Sequence, residues 1–275
     1  MKRIISILLI GILIILAGCG MKEEKQRTDQ ICSLYSWNRE LFDNPAEVIK
    51  QLSEFNVNRV HQGFSPADFE KEETTVMVSQ LKDIGVETTA LFGDPNWENA
   101  EDVIERTLKP RIAYNNGVGS KAQIKSVNFD FEFYTEGRAD AEHFAAYVDL
   151  MEKVSAEAHK AGLKVIYCIP YWLPTLSEDL FKEMLTQVDE ISVMNYSVGQ
   201  EAANLESIMN MARDAGVNVE SIFETQPADG VGITENNTYY SKGKDAVINA
   251  TGELQNQYDD LDIAYHHLSS LLSWN

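Results

Sequence analysis

The chain has 275 residues, 44% of them hydrophobic, with 23 basic against 43 acidic side chains and a formal net charge of −20. A field of that sign repels nucleic acid and other anionic polymers, and favours a neutral or amine-bearing ligand. The length suits one large domain.

At the N-terminus Lys2 and Arg3 precede an apolar run from Ile4 to Ala17. The run is too short, and too closely followed by Cys19, for an ordinary spanning helix. Gly20 to Gln30, rich in Lys, Glu and Gln, has the composition of a flexible tether. Leu16-Ala17-Gly18-Cys19 resembles the lipobox of bacterial lipoproteins. That resemblance implies a signal peptide over residues 1–18, a lipidated Cys19 opening a tether over 19–30, and a folded domain over 31–275. It also implies a lipid-anchored protein on the extracytoplasmic side of the cell membrane. The alternative, an uncleaved anchor, leaves the domain on that same side.

Beyond the tether, strand-like and helix-like segments alternate. Strand-like runs end near Trp37, Gln62, Phe92, Glu132, Pro170, Asn195, Glu224 and His267. Helical patterns lie between them, at Asn44 to Leu52, Ala67 to Ile84, Asn99 to Tyr114, Ala139 to Ala161, Ser177 to Leu185, Ala202 to Ala215 and Asp245 to Tyr258. The starts carry cap-then-Pro signals at Asn44-Pro45 and Ser65-Pro66, and glycines at 85, 162 and 216 mark stops. Eight strands and seven intervening helices predict a single-domain (β/α)8 TIM barrel of the α/β class, ending on its last strand. A doubly wound open sheet is the weaker alternative, because no glycine-rich loop follows the first strand. Gly117-Val-Gly119 precedes the fourth strand and reads as a turn; Gly230-Val-Gly232 follows the seventh and reads as a lid loop. Cys32 and Cys168 fall in strand-like runs on opposite sides of such a barrel and are expected to be buried and unpaired.

The stretch Lys125-Ser-Val-Asn-Phe-Asp-Phe-Glu-Phe-Tyr134 reads as the fourth strand. Val127, Phe129, Phe131 and Phe133 alternate with Asn128, Asp130 and Glu132, so period 2 sends the three polar side chains to one face. In a parallel sheet covered on both sides, two carboxylates on the inner face are expensive to desolvate. Function is the expected reason for their presence. Strand ends build barrel active sites, and those of this chain carry Trp37, His61, Asp94, Trp97, Asp130, Glu132, Tyr134, Tyr171, Trp172, Asn195, Tyr196, Glu224, His266 and His267. Aromatic faces stack on sugar rings while carboxylates handle hydroxyls and protons, so this composition predicts a glycan cleft. Trp37, Trp97, Tyr171 and Trp172 are the expected sugar platforms, with Asn195 and His266 as further substrate contacts.

Asn128-Phe-Asp130-Phe-Glu132 resembles the end of the Asp-x-x-Asp-x-Asp-x-Glu motif of family 18 chitinase-like glycoside hydrolases. Met194-Asn195-Tyr196 is similar to their sixth-strand Met-x-Tyr motif, and Trp274 to their eighth-strand Trp. The resemblance implies that Glu132 is the general acid, that Asp130 orients a substrate N-acetyl group, and that Tyr196 supports it. Lys125 and Asn128 stand where that family has acidic residues, and Ser197 where it usually has Asp. A second arrangement pairs Glu132 with Glu224 at the end of the seventh strand, as acid/base and nucleophile. In that arrangement Asp130 raises the pKa of Glu132 by like-charge repulsion.

A metal site would draw on His61, His266 and His267 with Asp130 and Glu132, but no first-strand His-x-His and no His-Glu-x-x-His helix occurs. No metal or cofactor is expected. The alternative to a glycosidase is a carbohydrate-binding lipoprotein that keeps the barrel without catalysis. A purely structural surface protein, with Glu132 locked to a cation, is a lesser option.

Overall fold

The computed structural model describes residues 30–94, 97, 99–230 and 232–274. The leader expected over 1–18, the lipidation expected at Cys19 and the expected tether up to residue 29 lie outside the described residues. Strands β1 (Cys32–Ser36), β2 (Arg59–Gly63), β3 (Glu87–Gly93), β4 (Ser126–Asp130), β5 (Lys164–Pro170), β6 (Glu190–Met194), β7 (Asn218–Glu224) and β8 (Leu261–His266) pair in chain order. All pairings are parallel, and β1 closes on β8, giving the expected (β/α)8 barrel.

Helices α1 (Glu40–Asp43) and α2 (Pro45–Glu54) follow β1, and α3 (Glu72–Asp83) follows β2. After β3, α4 (Ala100–Val103) runs through a π-helical turn into α5 (Lys109–Gly117). Then come α6 (Ala141–Lys160), α7 (Glu178–Leu185), α8 (Glu201–Ala215), α9 (Lys244–Gln257) and α10 (Leu268–Leu272). Local chemistry sets many of these boundaries. Asn99, Asp140 and Ser177 accept backbone N–H groups three residues on and so cap α4, α6 and α7. Gly216, at φ 72°, closes α8 in the left-handed conformation that a side chain would strain.

Three boundaries differ from expectation. The helix expected from Ala67 to Ile84 is a 3-10 turn at Pro66–Glu70 followed by α3. Asp68 takes both the Ser65 N–H and the Lys71 ammonium at 2.8 Å, closing a short turn before an extended Lys71. The chain does not stop on β8, because α10 follows it. The fourth strand ends at Asp130: the Phe133 N–H bonds the Phe131 carbonyl at 2.8 Å and turns the chain, so Glu132 lies just past the strand.

The outer faces of the strands pack with the helices into the main apolar core. The barrel interior is different. Tyr35, Leu91, Cys168, Met194, Ile222 and Ala264 make one mostly apolar layer. Below it the pairing register brings Ser33, Arg59, His61, Asn128, Glu190, Ser192, Glu220 and Asp262 together, all buried. Glu220 accepts from Ser33 Oγ and from Ser192 Oγ at 2.7 Å, and faces His61 Nε2 at 3.2 Å and Arg59 Nη1 at 3.6 Å. Arg59 also pairs with Glu190, which Lys164 meets at 2.8 Å from the rim. Burial alone would raise the Glu220 carboxyl, but His61, Arg59 and the Ser33 hydroxyl outweigh it and hold the pKa down to about 2.

Arg111 on α5 stands apart from this balance. It is 1% exposed, and its Nε and Nη2 find no hydrogen-bond partner among the described residues. Burial lowers its pKa to about 9. An uncompensated buried cation is destabilising, so Arg111→Met is expected to stabilise the fold by about 1–3 kcal/mol. The check is the urea midpoint at neutral pH; a lower midpoint in the variant refutes the assignment.

Candidate active site at the barrel mouth

Trp37 leaves the end of β1 and lies across the top of the barrel. It can do so because β2 and β3 end in glycine. A Cβ at Gly93 would stand 2.7 Å from Trp37 Cη2, and one at Gly63 3.3 Å from Trp37 Cε3. The indole Nε1 donates to His266 Nε2 at 3.2 Å, which leaves the other ring nitrogen to carry the proton. That Nδ1 stands 2.9 Å from Glu224 Oε2, while the Gln226 N–H donates to Glu224 Oε1 at 2.7 Å. Glu224 is 2% exposed, with both oxygens engaged. The arrangement is a locked chain from Glu224 through His266 to Trp37. Gly93→Ala is expected to push the indole aside and cost about 1–3 kcal/mol. Near-UV circular dichroism and the urea midpoint measure the two effects.

Across the mouth stand Asp130 and Glu132. The Tyr134 hydroxyl donates to Glu132 Oε1 at 3.2 Å, and the Trp172 ring meets Tyr134 edge-on at 5.1 Å. Asp130 sits deeper, hydrogen-bonded to Cys168 and within the fields of Glu132 and His266; its Oδ1 is buried with no partner among the described residues. Burial first, then the neighbouring Glu132 charge, pushes the Asp130 carboxyl up to about 6. The strand carries Asp130 inward, while Glu132 lies just past the strand end. Burial, then the nearby carboxylates, also raise Tyr134 and Tyr196 far above the usual phenol range, so both remain O–H donors. Tyr196 lies 6.1 Å from His266, ring to ring.

Thus Trp37, Asp130, Glu132, Tyr196, Glu224 and His266 converge at the mouth. Trp172 joins them through Tyr134. Trp97 lies to one side, 5.4 Å from Phe131 and under the Arg106 guanidinium at 4.7 Å. It shares with Trp37 a cleft of about 580 Å³, walled also by Phe64, Phe92, Arg39 and Lys71. That volume is in the range of small-molecule sites.

Three expectations need correction. Asn195 faces away from the site: alternation turns Met194 and Tyr196 inward, and Asn195 instead donates to the Glu201 carbonyl at 3.0 Å and accepts from Asn204 at 2.9 Å, tying β6 to α8. Tyr171 packs against the outer core. Trp274 stacks on Phe55 and Tyr240 outside the barrel, and His266 occupies the mouth end of β8. The histidines weighed as metal ligands are also dispersed. His61 is deep in the barrel against Glu220, and His267 bonds Gln226 at 2.7 Å. Sequence reasoning missed Tyr35, Cys168 and Gln226. The first two were available by counting inward positions along β1 and β5; Gln226 lies in a loop with no such signal.

No family model matches the sequence, and no curated protein does. Solved structures match in shape. A GH18 chitinase from Pseudoalteromonas aurantia is 13% identical, covers 88% of this chain and 95% of its own, and has a TM-score of 0.56. The spore cortex-lytic enzyme of Bacillus megaterium is 11% identical over 89% of this chain and 72% of its own, with a TM-score of 0.54. A putative deoxyribose-phosphate aldolase from Toxoplasma gondii is 8% identical over 89% of this chain and 90% of its own, at 0.50. At such identities the likeness is one of fold. The protein is a (β/α)8 barrel whose structural neighbours include GH18 chitinases; the aldolase shows that the same barrel hosts other chemistry, so function rests on the site.

Proposed function

We propose that the protein is a glycoside hydrolase acting on extracellular or cell-wall glycan, anchored to the cell membrane through Cys19 and facing the extracytoplasmic side. The observation that carries this reading is the Asp130–Glu132 pair at the barrel mouth, the inner Asp130 carboxyl pushed up to about 6 by burial and by the Glu132 charge. Glu132, supported by Tyr134, gives its proton to the glycosidic oxygen as the leaving sugar departs. Glu224 is a poor nucleophile, since His266 and the Gln226 N–H occupy its oxygens. The substrate's own 2-acetamido oxygen then forms the bond to the anomeric carbon, with Asp130 accepting from the acetamido N–H. Water reopens that ring, and Glu132 recovers its proton from the water. The chitinases among the structural neighbours favour the same substrate class, and the negative net charge favours neutral or amine-bearing glycans over anionic ones.

Release of reducing ends from N-acetylhexosamine oligomers tests the reading. Acetylated oligomers are expected to be cleaved and their de-N-acetylated counterparts to resist. Equal cleavage of both removes the substrate-assisted step. A second reading, a carbohydrate-binding protein without turnover, is favoured by Asn128 and Lys125 at positions where family 18 hydrolases are acidic.

A further inference from the structure

The helices of a (β/α)8 barrel run against its strands, so helix N-termini ring the mouth and helix C-termini ring the opposite end, the floor. Carboxylates favour the first turn of a helix and cations the last. In this chain that preference separates charge along the barrel axis. Helices α2, α3, α4, α6, α7 and α9 open at the mouth on the exposed Glu47, Glu72, Glu101, Glu142, Glu178 and Asp245. At the floor Lys82, Lys160 and Arg213 close α3, α6 and α8, and Lys121, Lys125 and Lys164 lie in or beside the connections to β4 and β5. Carboxylates stand among these cations: Asp83 is 2.6 Å from Lys121, Glu87 3.6 Å from Lys82 and Asp260 2.6 Å from Arg213. Cations and acids are thus interleaved at the floor, whereas the rim of the mouth is mainly acidic.

The chain enters the barrel at the floor. Gln30 and Ile31 lead into β1 and are fixed there by side chains. The Asn58 amide donates to the Gln30 carbonyl at 3.0 Å and accepts the Cys32 N–H at 2.9 Å, while Asp262 accepts the Ile31 N–H at 2.9 Å. Residues 19–29 connect Cys19 to this point, a stretch that spans at most about 40 Å when fully extended. The 20 residues of α6 give the barrel a height of about 30 Å. A connection of that reach lets either end of the barrel approach the lipid, so length does not choose between them. Charge does. Anionic headgroups repel the carboxylate rim of the mouth far more than the interleaved floor.

We propose that the floor of the barrel is the surface that lies on the membrane, against anionic lipid headgroups, with the mouth facing away from the lipid. The inference rests on the anchor at Cys19 proposed above and is independent of the hydrolase reading. Joined to that reading, it narrows the substrate class. Glu132 then meets polymeric glycan standing about 30 Å off the membrane. A sugar attached directly to a lipid headgroup lies at the wrong end of the barrel.

The test uses the full lipidated chain in vesicles of phosphatidylcholine and phosphatidylglycerol. A fluorophore is placed on Ser120→Cys at the floor or on Ala139→Cys in the loop between β4 and α6 at the mouth; both positions are exposed and uncharged. A quencher carried on the lipid headgroup is expected to dim the Ser120 label about threefold or more beyond the Ala139 label. The chain without either substitution, taken through the same labelling, gives the background from Cys32 and Cys168. Lys121→Glu with Lys125→Glu should remove most of the contrast, since it makes the floor as acidic as the rim. Equal quenching of the two labels, stronger quenching at Ala139, or a contrast indifferent to the double substitution overturns the proposal. Flotation of the vesicles separates orientation from anchoring. A chain that does not float with them refutes the anchor and the orientation together, and a floating chain with equally quenched labels refutes the orientation alone.

Discussion

Glu132→Gln is expected to lower turnover of a responsive glycan by about 10²–10⁴-fold and to leave its affinity within a few-fold of wild type. Glutamine keeps the size of the side chain and can still accept from Tyr134, so cleft and mouth should be unchanged. What disappears is the proton that the leaving sugar's oxygen requires. The paired measurement is the initial rate of reducing-end release and the dissociation constant of a non-hydrolysed oligomer by calorimetry. An enzyme shows a fall in rate alone. A pure binding protein shows no rate in either form, and equal rates in both forms mean that Glu132 is not the acid.

The second large effect is on the fold. Glu220→Leu is expected to destabilise the barrel by about 3–5 kcal/mol at neutral pH, because it leaves His61 buried without its carboxylate and Arg59 with Glu190 alone. The pH dependence has a definite sign. The folded-state pKa of Glu220 is depressed to about 2 from an ordinary 4.5. Its contribution is therefore complete above pH 4.5 and disappears as pH falls through the folded value, about 3 kcal/mol across that window. The gap between wild type and variant should accordingly narrow between pH 4.5 and 2. Urea unfolding at pH 7 and pH 3 measures it. A gap that is constant with pH would show that Glu220 stabilises by packing alone.

How much of this could be read in advance differs from element to element. Alternation along β4 correctly turned Asn128 and Asp130 toward the barrel axis, since that depends only on the two-residue period of a strand, but the strand ends before Glu132. The same period applied to β6 places Asn195 outside, and its assignment to the site came from position in the chain without the parity check. Glu224 was placed correctly at the end of β7, but its partners were not legible. His266 and Gln226 reach it from a neighbouring strand and the following loop.

The sequence by itself determined the barrel class, the order of its strands, most helix boundaries and the inward direction of Asp130. Each follows from periodicity, caps and glycine stops, which act within a few residues. Only the tertiary structure decided which carboxyl is deepest, that Trp37 spans the mouth over Gly93, and that Glu220 gathers Ser33, Arg59, His61 and Ser192. Those outcomes depend on the register between strands. Ser33 and Glu220 are 187 residues apart in the chain and meet only when β1 closes on β8, which no local pattern encodes.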